Sequence, residues 1–432
     1  MNKFSNKHSK SEPEVGDLIR IETHTGQFVG NFIKYDNSGE IVVIKLDSGY
    51  DVALKKSEIK ALSIIEQLGR TASEAKESSD KNGDISIITT GGTISSKIDY
   101  KTGGVSPTVP PSYYLKLAQG MQKYGSVGVR EAMNIWSENM KPSDWVKIAK
   151  EAYDAIKSGS VGVIVTMGTD TMHYVSSALS FMLNPLSAPI VFTGAQRSPD
   201  RGSSDASSNL LLSAIVASRW SGGESVICMH ANMNDDSNLI LRGNKVRKMH
   251  TERRDTFRPI NTKPLGRVYP DGSIEKLSDW RPRSKETKLD TKLDEKVKLI
   301  MSYPSLGGDI IDYYLDMGMH GLVLMGTGFG NLPLGDRTVR KALKRANDSG
   351  IPIAITSQAM YGSTNKFVYS PLRELSNLDN TIYLGDMLSE TAYVKLMFVL
   401  GKTRKLEKVR ELMTSSLSGE IKTRSEVDEF LV

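Results

Sequence analysis

Hydrophobic positions in the first part of the chain come in short runs separated by tight turns. The runs DLIRIETH, GQFVGNFIKYD and EIVVIKLD alternate apolar with polar residues, and glycine stands in the turns between them. Closely spaced strands of this kind predict a small β-barrel of the SH3-like or Sm-like type over residues 15–62. The polar residues 1–14 are expected to form a disordered tail. Residues 63–83 are typical of a linker, with room for a short helix at its start.

The pattern changes at Asp84, where longer apolar runs begin to alternate with segments of helical periodicity. The runs SVGVIVTMG and APIVFTGAQ have the β-branched character of buried parallel strands, and a helical segment follows each of them. The first of these helices should end near Asn184-Pro185, because a residue before proline avoids the helical region. Residues 84–278 therefore predict a doubly wound α/β domain.

A polar stretch over residues 279–296 predicts a second linker. Beyond it, three further apolar runs alternate with helical segments: VKLIMSY, HGLVLMG and IPIAITS. They predict a second α/β domain over residues 297–432, closed by a helix that ends near Gly419. The predicted fold class is thus α/β, with two doubly wound domains after a small β-barrel.

Composition limits the classes of protein to which the chain can belong. It has 432 residues, of which 39% are apolar and 25% charged, as in globular proteins of more than one domain. Cys228 is the single cysteine, so no disulfide can form within the chain, and its apolar run predicts a buried side chain. His173 is expected to pack in a helix, and the histidines lack metal-ligand spacing. Without a long apolar run or a signal core, we expect a cytoplasmic location and no membrane contact.

A loop rich in glycine and threonine, TTGGTISSK, follows the first strand of the larger domain. It lacks the Lys-Ser/Thr pair of a phosphate-binding P-loop and the G-x-G-x-x-G of a dinucleotide site. The later GTGFGN also lacks the third-glycine spacing, and Pro333 interrupts the helix that should follow it. A threonine of this loop instead stands just beyond a parallel strand, where open α/β sheets bind ligands, and its hydroxyl could act as a nucleophile if a base activates it.

A second strand end, in VIVTMGTDTMHY, supplies Thr169 and Asp170 as possible partners for a threonine of that loop. The base could be a lysine, and RGNKVRKMHTERR offers Lys245 and Lys248. The same segment is also typical of a basic surface patch for nucleic acid, which sequence chemistry alone favours. A net charge of +6 is compatible with such contact without requiring it.

Four motifs in order, TTGGTIS, MGTDTMHY, FTGAQRSPDRGSSD and GLVLMGTGFGNLP, resemble those of the L-asparaginase family from about Asp84 nearly to the C-terminus. The resemblance implies that Thr93 is the nucleophile and that Thr169, Asp170 and Lys248 form a proton relay. Lys248 is chosen over Lys245 by its distance from the sequence DTF. Backbone N–H groups of Gly92, Thr93 and Gly168 could stabilise the developing oxyanion.

The resemblance also implies a set of substrate-binding residues. These are a lid tyrosine, a pair that grips the α-amino and α-carboxyl groups, a backbone position and an asparagine: Tyr100, Ser137 with Glu138, Gly168 and Asn331. Gly103-Gly104 would be the hinge of the lid. Family members are dimers or tetramers whose sites lie at protomer interfaces. The acidic residue that a neighbouring protomer contributes in bacterial enzymes has no counterpart in SQAMYGSTNKFVYS.

The additional β-barrel and the sequence NIWSENM narrow the resemblance to archaeal glutamyl-tRNA(Gln) amidotransferases, in which an asparaginase-like glutaminase works with a second, E-type subunit. Glutamine would then be the substrate, and tRNA(Gln) would be reached through the complex. ATP and Mg²⁺ would be used by the partner subunit, with no cofactor on this chain. A homodimer core would carry two partner subunits in a heterotetramer. Two alternatives are a free-standing L-asparaginase with an accessory barrel, and a non-enzymatic RNA-binding module whose function would survive Thr93→Ala.

Overall fold

The computed structural model describes most of the chain. The described residues are 12–13, 17–35, 39–46, 51–66, 83–98, 105–107, 114, 121–199 and 204–431. Tyr100, the Gly103-Gly104 hinge, the tail up to residue 11 and most of the first linker lie outside these ranges.

The N-terminal region is a five-stranded antiparallel sheet with the order β4-β3-β2-β1-β5. Its core is formed by alternating apolar residues, among them Ile19, Ile21 and Ile44, as expected of strands with one buried face. The last strand continues to Glu66 instead of giving way to a linker or a short helix, because it pairs with the first strand up to Leu18. The strands are β1 Leu18–Thr23, β2 Gln27–Tyr35, β3 Ile41–Leu46, β4 Asp51–Lys55 and β5 Ile59–Glu66.

The larger α/β domain is built on an eight-stranded sheet with the order β17-β16-β13-β12-β11-β10-β6-β9. Its strands and the neighbouring hairpin strands are β6 Ile85–Thr89, β7 Ser96–Ile98, β8 Val105–Pro107, β9 Val127–Glu131, β10 Gly162–Thr166, β11 Ile190–Thr193, β12 Ser225–His230, β13 Asn238–Arg242, β14 Val246–Lys248, β15 Phe257–Pro259, β16 Gly266–Val268 and β17 Ile274–Lys276. The helices are α1 Pro142–Lys157, α2 Met172–Met182 and α3 Ala206–Arg219. Five central strands, from β9 to β12, run parallel and are largely buried, which confirms the predicted α/β class.

The C-terminal domain has a four-stranded parallel sheet with the order β18-β19-β20-β21. Its elements are β18 Val297–Met301, α4 Asp309–Asp316, β19 Gly321–Gly326, α5 Arg337–Asp348, β20 Ile353–Ser357, α6 Ser370–Ser376, β21 Thr381–Tyr383, α7 Ser389–Leu400 and α8 Leu406–Thr414. The expected closing helix ends at Thr414, five residues before Gly419. It ends early because the buried carboxylate of Glu420 accepts the backbone N–H groups of Leu417 and Ser418 and binds Lys395, which draws the chain inward.

The two α/β domains share one hydrophobic core, in which α2 packs along α7. Phe181 stacks on Phe398 at 5.9 Å between ring centroids, and Tyr174 meets Tyr393 edge-on at 6.3 Å. The segment 279–296, expected to be a linker, lies against the larger domain through backbone hydrogen bonds such as Asp290 N–H to Met182 O at 2.8 Å. Among the helices of the described residues, none has the length and apolar character needed to cross a membrane.

Candidate active site

The TGGT and GTDT loops lie side by side because their strands are neighbours in the sheet. Strands β6 and β10 pair in parallel, with Thr89 opposite Thr166, so both chains leave the sheet at its carboxyl edge. Thr90 then bonds to Thr166 O through both its N–H, at 3.1 Å, and its hydroxyl, at 3.0 Å. The two loops therefore begin from one fixed point, at the edge where open α/β sheets bind ligands.

The glycines of these loops allow two backbones to touch. Gly92 has φ +80°, and a Cβ on it would lie 2.2 Å from Gly168 N and 2.5 Å from Gly168 Cα. A Cβ on Gly91 would lie 2.6 Å from both N and O of Ile135. Only glycine meets both demands, an unusual φ and no side chain. The glycines thus serve close packing of the loops, and no phosphate cradle is needed to explain them.

Thr93 begins a short 3-10 helix, Thr93–Ser95, immediately after this contact. It is half-buried, and no side-chain partner of its hydroxyl occurs among the described residues. The loop around it is rigid, because Ser96 Oγ donates to Gly92 O at 2.7 Å and Ser95 Oγ donates to Gly91 O at 3.1 Å. Thr93 therefore presents a hydroxyl from a fixed backbone at the sheet edge.

Lys248 comes to the GTDT loop from β14. Its Nζ donates to Thr169 Oγ1 at 2.8 Å and to Asp170 Oδ1 at 2.7 Å. The side chain of Lys248 is 12% exposed, whereas that of Asp170 is 64% exposed. A base, a hydroxyl and a carboxylate are thus connected by hydrogen bonds, which is the arrangement that proton transfer requires. The sequence separates these groups by about eighty positions, and the fold brings them together.

Lys245, the other candidate base, does not contact this group. Its Nζ lies 2.6 Å from Asp386 Oδ2 of the C-terminal domain, with 1% and 4% of the two side chains exposed. Burial lowers the pKa of Lys245, although the Asp386 carboxylate acts in the opposite direction. Lys245 is therefore part of an ion pair between the domains.

The basic segment that contains both lysines is not a free cationic surface, which gives no support to the alternative of a basic patch. Each of its six cationic side chains has a carboxylate partner from elsewhere in the fold or the next turn. The pairs are Arg242–Glu224, Lys245–Asp386, Arg247–Glu390, Lys248–Asp170, Arg253–Asp255 and Arg254–Asp235. Partnered charges attract a polyanion much less than free ones do.

Ser137 lies beside the GTDT loop, whereas Glu138 points to the surface. Ser137 is 2% exposed, and its Oγ lies 2.8 Å from the position that a Cβ of Gly168 would take. Its carbonyl accepts the Thr171 hydroxyl at 2.7 Å. The structure therefore brings Ser137 and Gly168 together with Thr169, and leaves Glu138 in an exposed position one residue away.

Asn331 stands apart from these groups within one chain. It closes the turn after β19, where its Nδ2 donates to Thr327 O at 3.1 Å and its backbone N–H donates to the same oxygen at 2.8 Å. Within the described ranges this turn makes no hydrogen bond to Thr93 or Lys248. Tyr100 lies outside the described residues.

Tyr114 is a residue of the site that sequence reasoning missed. It is 1% exposed, and its hydroxyl bonds to Ser95 Oγ and accepts from Thr166 Oγ1 at 3.3 Å. Burial raises the pKa of this phenol. Tyr114 thus ties the threonine loop to the end of β10, and the polar sequence around it gave no periodic signal of burial.

Two other candidate groups have no catalytic character. Burial lowers the pKa of His173 to about 3, so its imidazole is neutral and a very weak base. Burial raises the pKa of Cys228 to about 12, which keeps it a thiol and confirms it as a packed side chain. His173 lines an open cavity of about 390 Å³ that also reaches Asp170 and Lys248. In the described part of the chain, no cluster of three potential metal-binding side chains occurs.

Comparison with known families and structures agrees with this fold. The family model "Asparaginase, N-terminal" matches residues 84–280, and "Glutaminase/Asparaginase C-terminal domain" matches residues 296–413. The thermostable L-asparaginase from Thermococcus kodakarensis superposes with a TM-score of 0.71 at 28% identity, covering 79% of this chain and 99% of that one. L-asparaginase I from Vibrio cholerae superposes with a TM-score of 0.67 at 27% identity and the same coverage. Fold and loops together define an asparaginase-type α/β protein.

Relatives that match nearly the full length of this chain identify its family more narrowly. A protein of Pyrococcus horikoshii is 42% identical over 96% of this chain and 97% of its own length, and one of Sulfolobus acidocaldarius is 40% identical over 96% and 93%. Both are named as the D-type subunit of glutamyl-tRNA(Gln) amidotransferase. The chain belongs to this family.

Proposed function

We propose that this chain is the glutaminase subunit of a tRNA-dependent amidotransferase and that it hydrolyses glutamine through Thr93. The observation that carries the proposal is the contact of Lys248 Nζ with Thr169 Oγ1 and Asp170 Oδ1, at 2.8 and 2.7 Å. The loop that holds these two residues begins at Gly168, which abuts the glycine before Thr93. A nucleophile and a relay for its proton therefore belong to one rigid unit.

The reaction proceeds in two steps that together convert glutamine and water into glutamate and ammonia. Thr93 Oγ1 attacks the side-chain amide carbon, the C–N bond breaks as the leaving nitrogen receives a proton, and an acyl-threonine ester remains. Water then adds to the ester, and the bond to Thr93 breaks to release glutamate. Lys248 as a neutral amine takes a proton from threonine or water, and Asp170 stabilises the ammonium that results. Tyr100 or a water molecule passes the proton from Thr93.

Two backbone N–H groups are suited to stabilise the oxyanion. The N–H of Thr93 is the first of a 3-10 turn and so has no partner within that turn, and Gly168 N belongs to the close contact with Gly92, the residue before Thr93. Donors fixed in this way need no reorganisation when charge develops on the amide oxygen. We assign the amino acid end of the substrate to Ser137 and Glu138, whose carboxylate suits an α-ammonium group. Asn331 is assigned to the site of a second copy of the chain.

The fate of the ammonia follows from the family. Its members are named for the amidation of glutamyl-tRNA(Gln). We propose that ammonia passes to the E-type partner, which converts Glu-tRNA(Gln) to Gln-tRNA(Gln) with ATP and Mg²⁺, while this chain binds neither cofactor. The proposed assembly is a homodimer core with two such partners, a heterotetramer that acts in the cytoplasm.

The distribution of charged side chains gives little support to the alternative of an RNA-binding module. Residues 15–62 carry seven acidic and six basic side chains, so the small β domain does not attract phosphates. The cations of residues 242–254 are paired with carboxylates. Contact with tRNA is therefore assigned to the complex.

The decisive experiment measures glutamate and aspartate formation from glutamine and asparagine, by the chain alone and together with its E-type partner and Glu-tRNA(Gln). Glutaminase activity should be low in the chain alone and rise with both additions. Thr93→Ala should lower turnover on the order of 10⁴-fold, because it removes the hydroxyl that forms the acyl intermediate. Thr93→Ser is the matched control and should keep part of the activity.

Full asparagine hydrolysis by the isolated chain, without stimulation by tRNA, would instead support a free-standing L-asparaginase. Unchanged hydrolysis in Thr93→Ala would exclude Thr93 as the nucleophile.

A further inference from the structure

The strand that carries Lys248 is held by the C-terminal domain through its neighbour Arg247. Arg247 is the residue before Lys248 on this strand, and it lines the same open cavity as Lys248 and Asp170. Arg247 Nη1 lies 2.9 Å from Glu390 Oε1, with 26% and 5% of the side chains exposed. Glu390 stands in the first turn of α7. The neighbour of the relay lysine is therefore ion-paired to a nearly buried carboxylate of the other domain.

The neighbouring strand β15 favours the pairing of Arg247 with Glu390. Strand β14 pairs with β15 so that Arg247 is opposite Arg258, and like charges in such positions repel each other. Arg258 binds Asp255 at 2.5 Å, which leaves Arg247 to a different carboxylate. With each guanidinium held by its own acid, the rotation of β14 about its axis is fixed, and with it the direction of Lys248.

Helix packing closes a ring of contacts around the relay. The GTDT loop leads directly into α2, and α2 packs on α7 through the Tyr174–Tyr393 and Phe181–Phe398 ring pairs. Ser177 and Thr391 hydroxyls meet at 3.2 Å in the same interface. Glu390 of α7 is ion-paired with Arg247, the residue before Lys248, and Lys248 in turn is hydrogen-bonded to the GTDT loop. A shift at the Arg247–Glu390 pair must therefore move either Lys248 or the loop it binds.

We propose that Arg247 and Glu390 are positioning residues, which set the place of Lys248 Nζ between Thr169 and Asp170 and couple the C-terminal domain to the relay. The proposal rests on the proposed function and names two residues beyond it. Neither residue touches the nucleophile. Their effect is on the geometry of proton transfer, for which displacements of about 1 Å can cost roughly 100-fold in rate.

The test uses the chain in complex with its E-type partner and Glu-tRNA(Gln), and measures glutamate formation so that ammonia transfer does not enter the readout. Arg247→Met should lower kcat by about 10- to 100-fold and leave KM for glutamine within about three-fold, since the substrate contacts are untouched. Glu390→Gln should do the same. Arg247→Lys keeps a cation near Glu390 and should recover much of kcat.

Two controls separate positioning from stability. Arg242→Met breaks a comparably buried pair with Glu224, away from the relay, and should leave kcat unchanged. The double variant Arg247→Met with Glu390→Gln leaves neither charge unpaired, so its Tm should exceed those of the single variants while kcat stays low. Recovery of kcat together with Tm in the double variant would overturn the positioning role. An unmodified complex that forms no glutamate would instead overturn the proposed function.

Discussion

Lys245 and Lys248 stand three positions apart in one basic segment, yet the fold gives them opposite environments. Lys245 is 1% exposed and faces a carboxylate that is 4% exposed, so both charges lie within the protein. Lys248 is 12% exposed and faces a carboxylate that is 64% exposed, and it also contacts a threonine hydroxyl. The first pair joins two domains, and the second stands at the open edge of a sheet.

This difference shows which features distinguish a structural lysine from a candidate base. A buried ion pair is a poor place for proton transfer, because water and substrate cannot reach it and a change of either charge leaves the other uncompensated. A lysine whose carboxylate partner is largely in solvent can be reached by water and by a substrate. Four predictions test the contrast.

The largest effect should come from Lys248→Met, which removes the proposed relay base and keeps the length of the side chain. Loss of a general base costs about 10² to 10⁴-fold in rate, and we expect kcat for glutamine to fall by that amount while Tm changes little. The measurement is glutamate formation by the complex with tRNA, with a melting curve of the same sample. Near-normal turnover in Lys248→Met, with loss of turnover in Lys245→Met, would reverse the two roles.

Lys245→Met should show the opposite profile. It leaves the buried Asp386 carboxylate without its counter-ion, with the Lys422 N–H at 3.0 Å as a remaining donor, and breaking a buried pair in this way costs about 3–5 kcal/mol. Tm should fall, while kcat per folded molecule stays within about three-fold. Adding Asp386→Leu removes the remaining charge and should restore part of the lost Tm. If the double variant had a lower Tm than Lys245→Met, the loss of stability would not come from the unpaired charge of Asp386.

The sequence predicted the residues of the candidate site but not the carboxylate partners of the basic segment. Strand and helix patterns located both α/β domains, and the TGGT and GTDT motifs located Thr93, Thr169 and Asp170 at adjacent strand ends. The partners of the basic segment could not be predicted, because Asp386 and Glu390 lie more than 140 positions away. Local composition therefore suggested a free basic patch. For the same reason nothing in the sequence indicated that Glu420 would end the last helix early.

The third-largest effect should come from Gly92→Ala, which disturbs the contact between the loop of Thr93 and the loop of Thr169 and Asp170. The added Cβ would lie 2.2 Å from Gly168 N, and φ +80° is unfavourable for alanine. Because backbone must move, we expect glutamine turnover to fall by about 100-fold. Gly318→Ala is the matched control, since its φ is +69° and no atom lies within 4 Å of its Cβ position.

Gly318→Ala should therefore cost stability alone, about 1–2 kcal/mol, with normal turnover. Equal losses of activity in both variants would mean that backbone strain matters and the contact with Gly168 does not.

The smallest effect concerns Asp255, which holds the strand beside Lys248 through Arg253 and Arg258. The Arg253 hydrogen bonds keep the pKa of Asp255 below its usual value, against the opposing effect of burial. A carboxylate with a lowered folded pKa stabilises the protein above its unfolded pKa, near 3.9, and loses this contribution as pH falls through the folded value. Asp255→Asn should accordingly lower Tm modestly at pH 7 and flatten the decline of Tm below about pH 4. An acid decline of Tm as steep as that of the unmodified chain would show that other carboxylates, such as Glu420, dominate it.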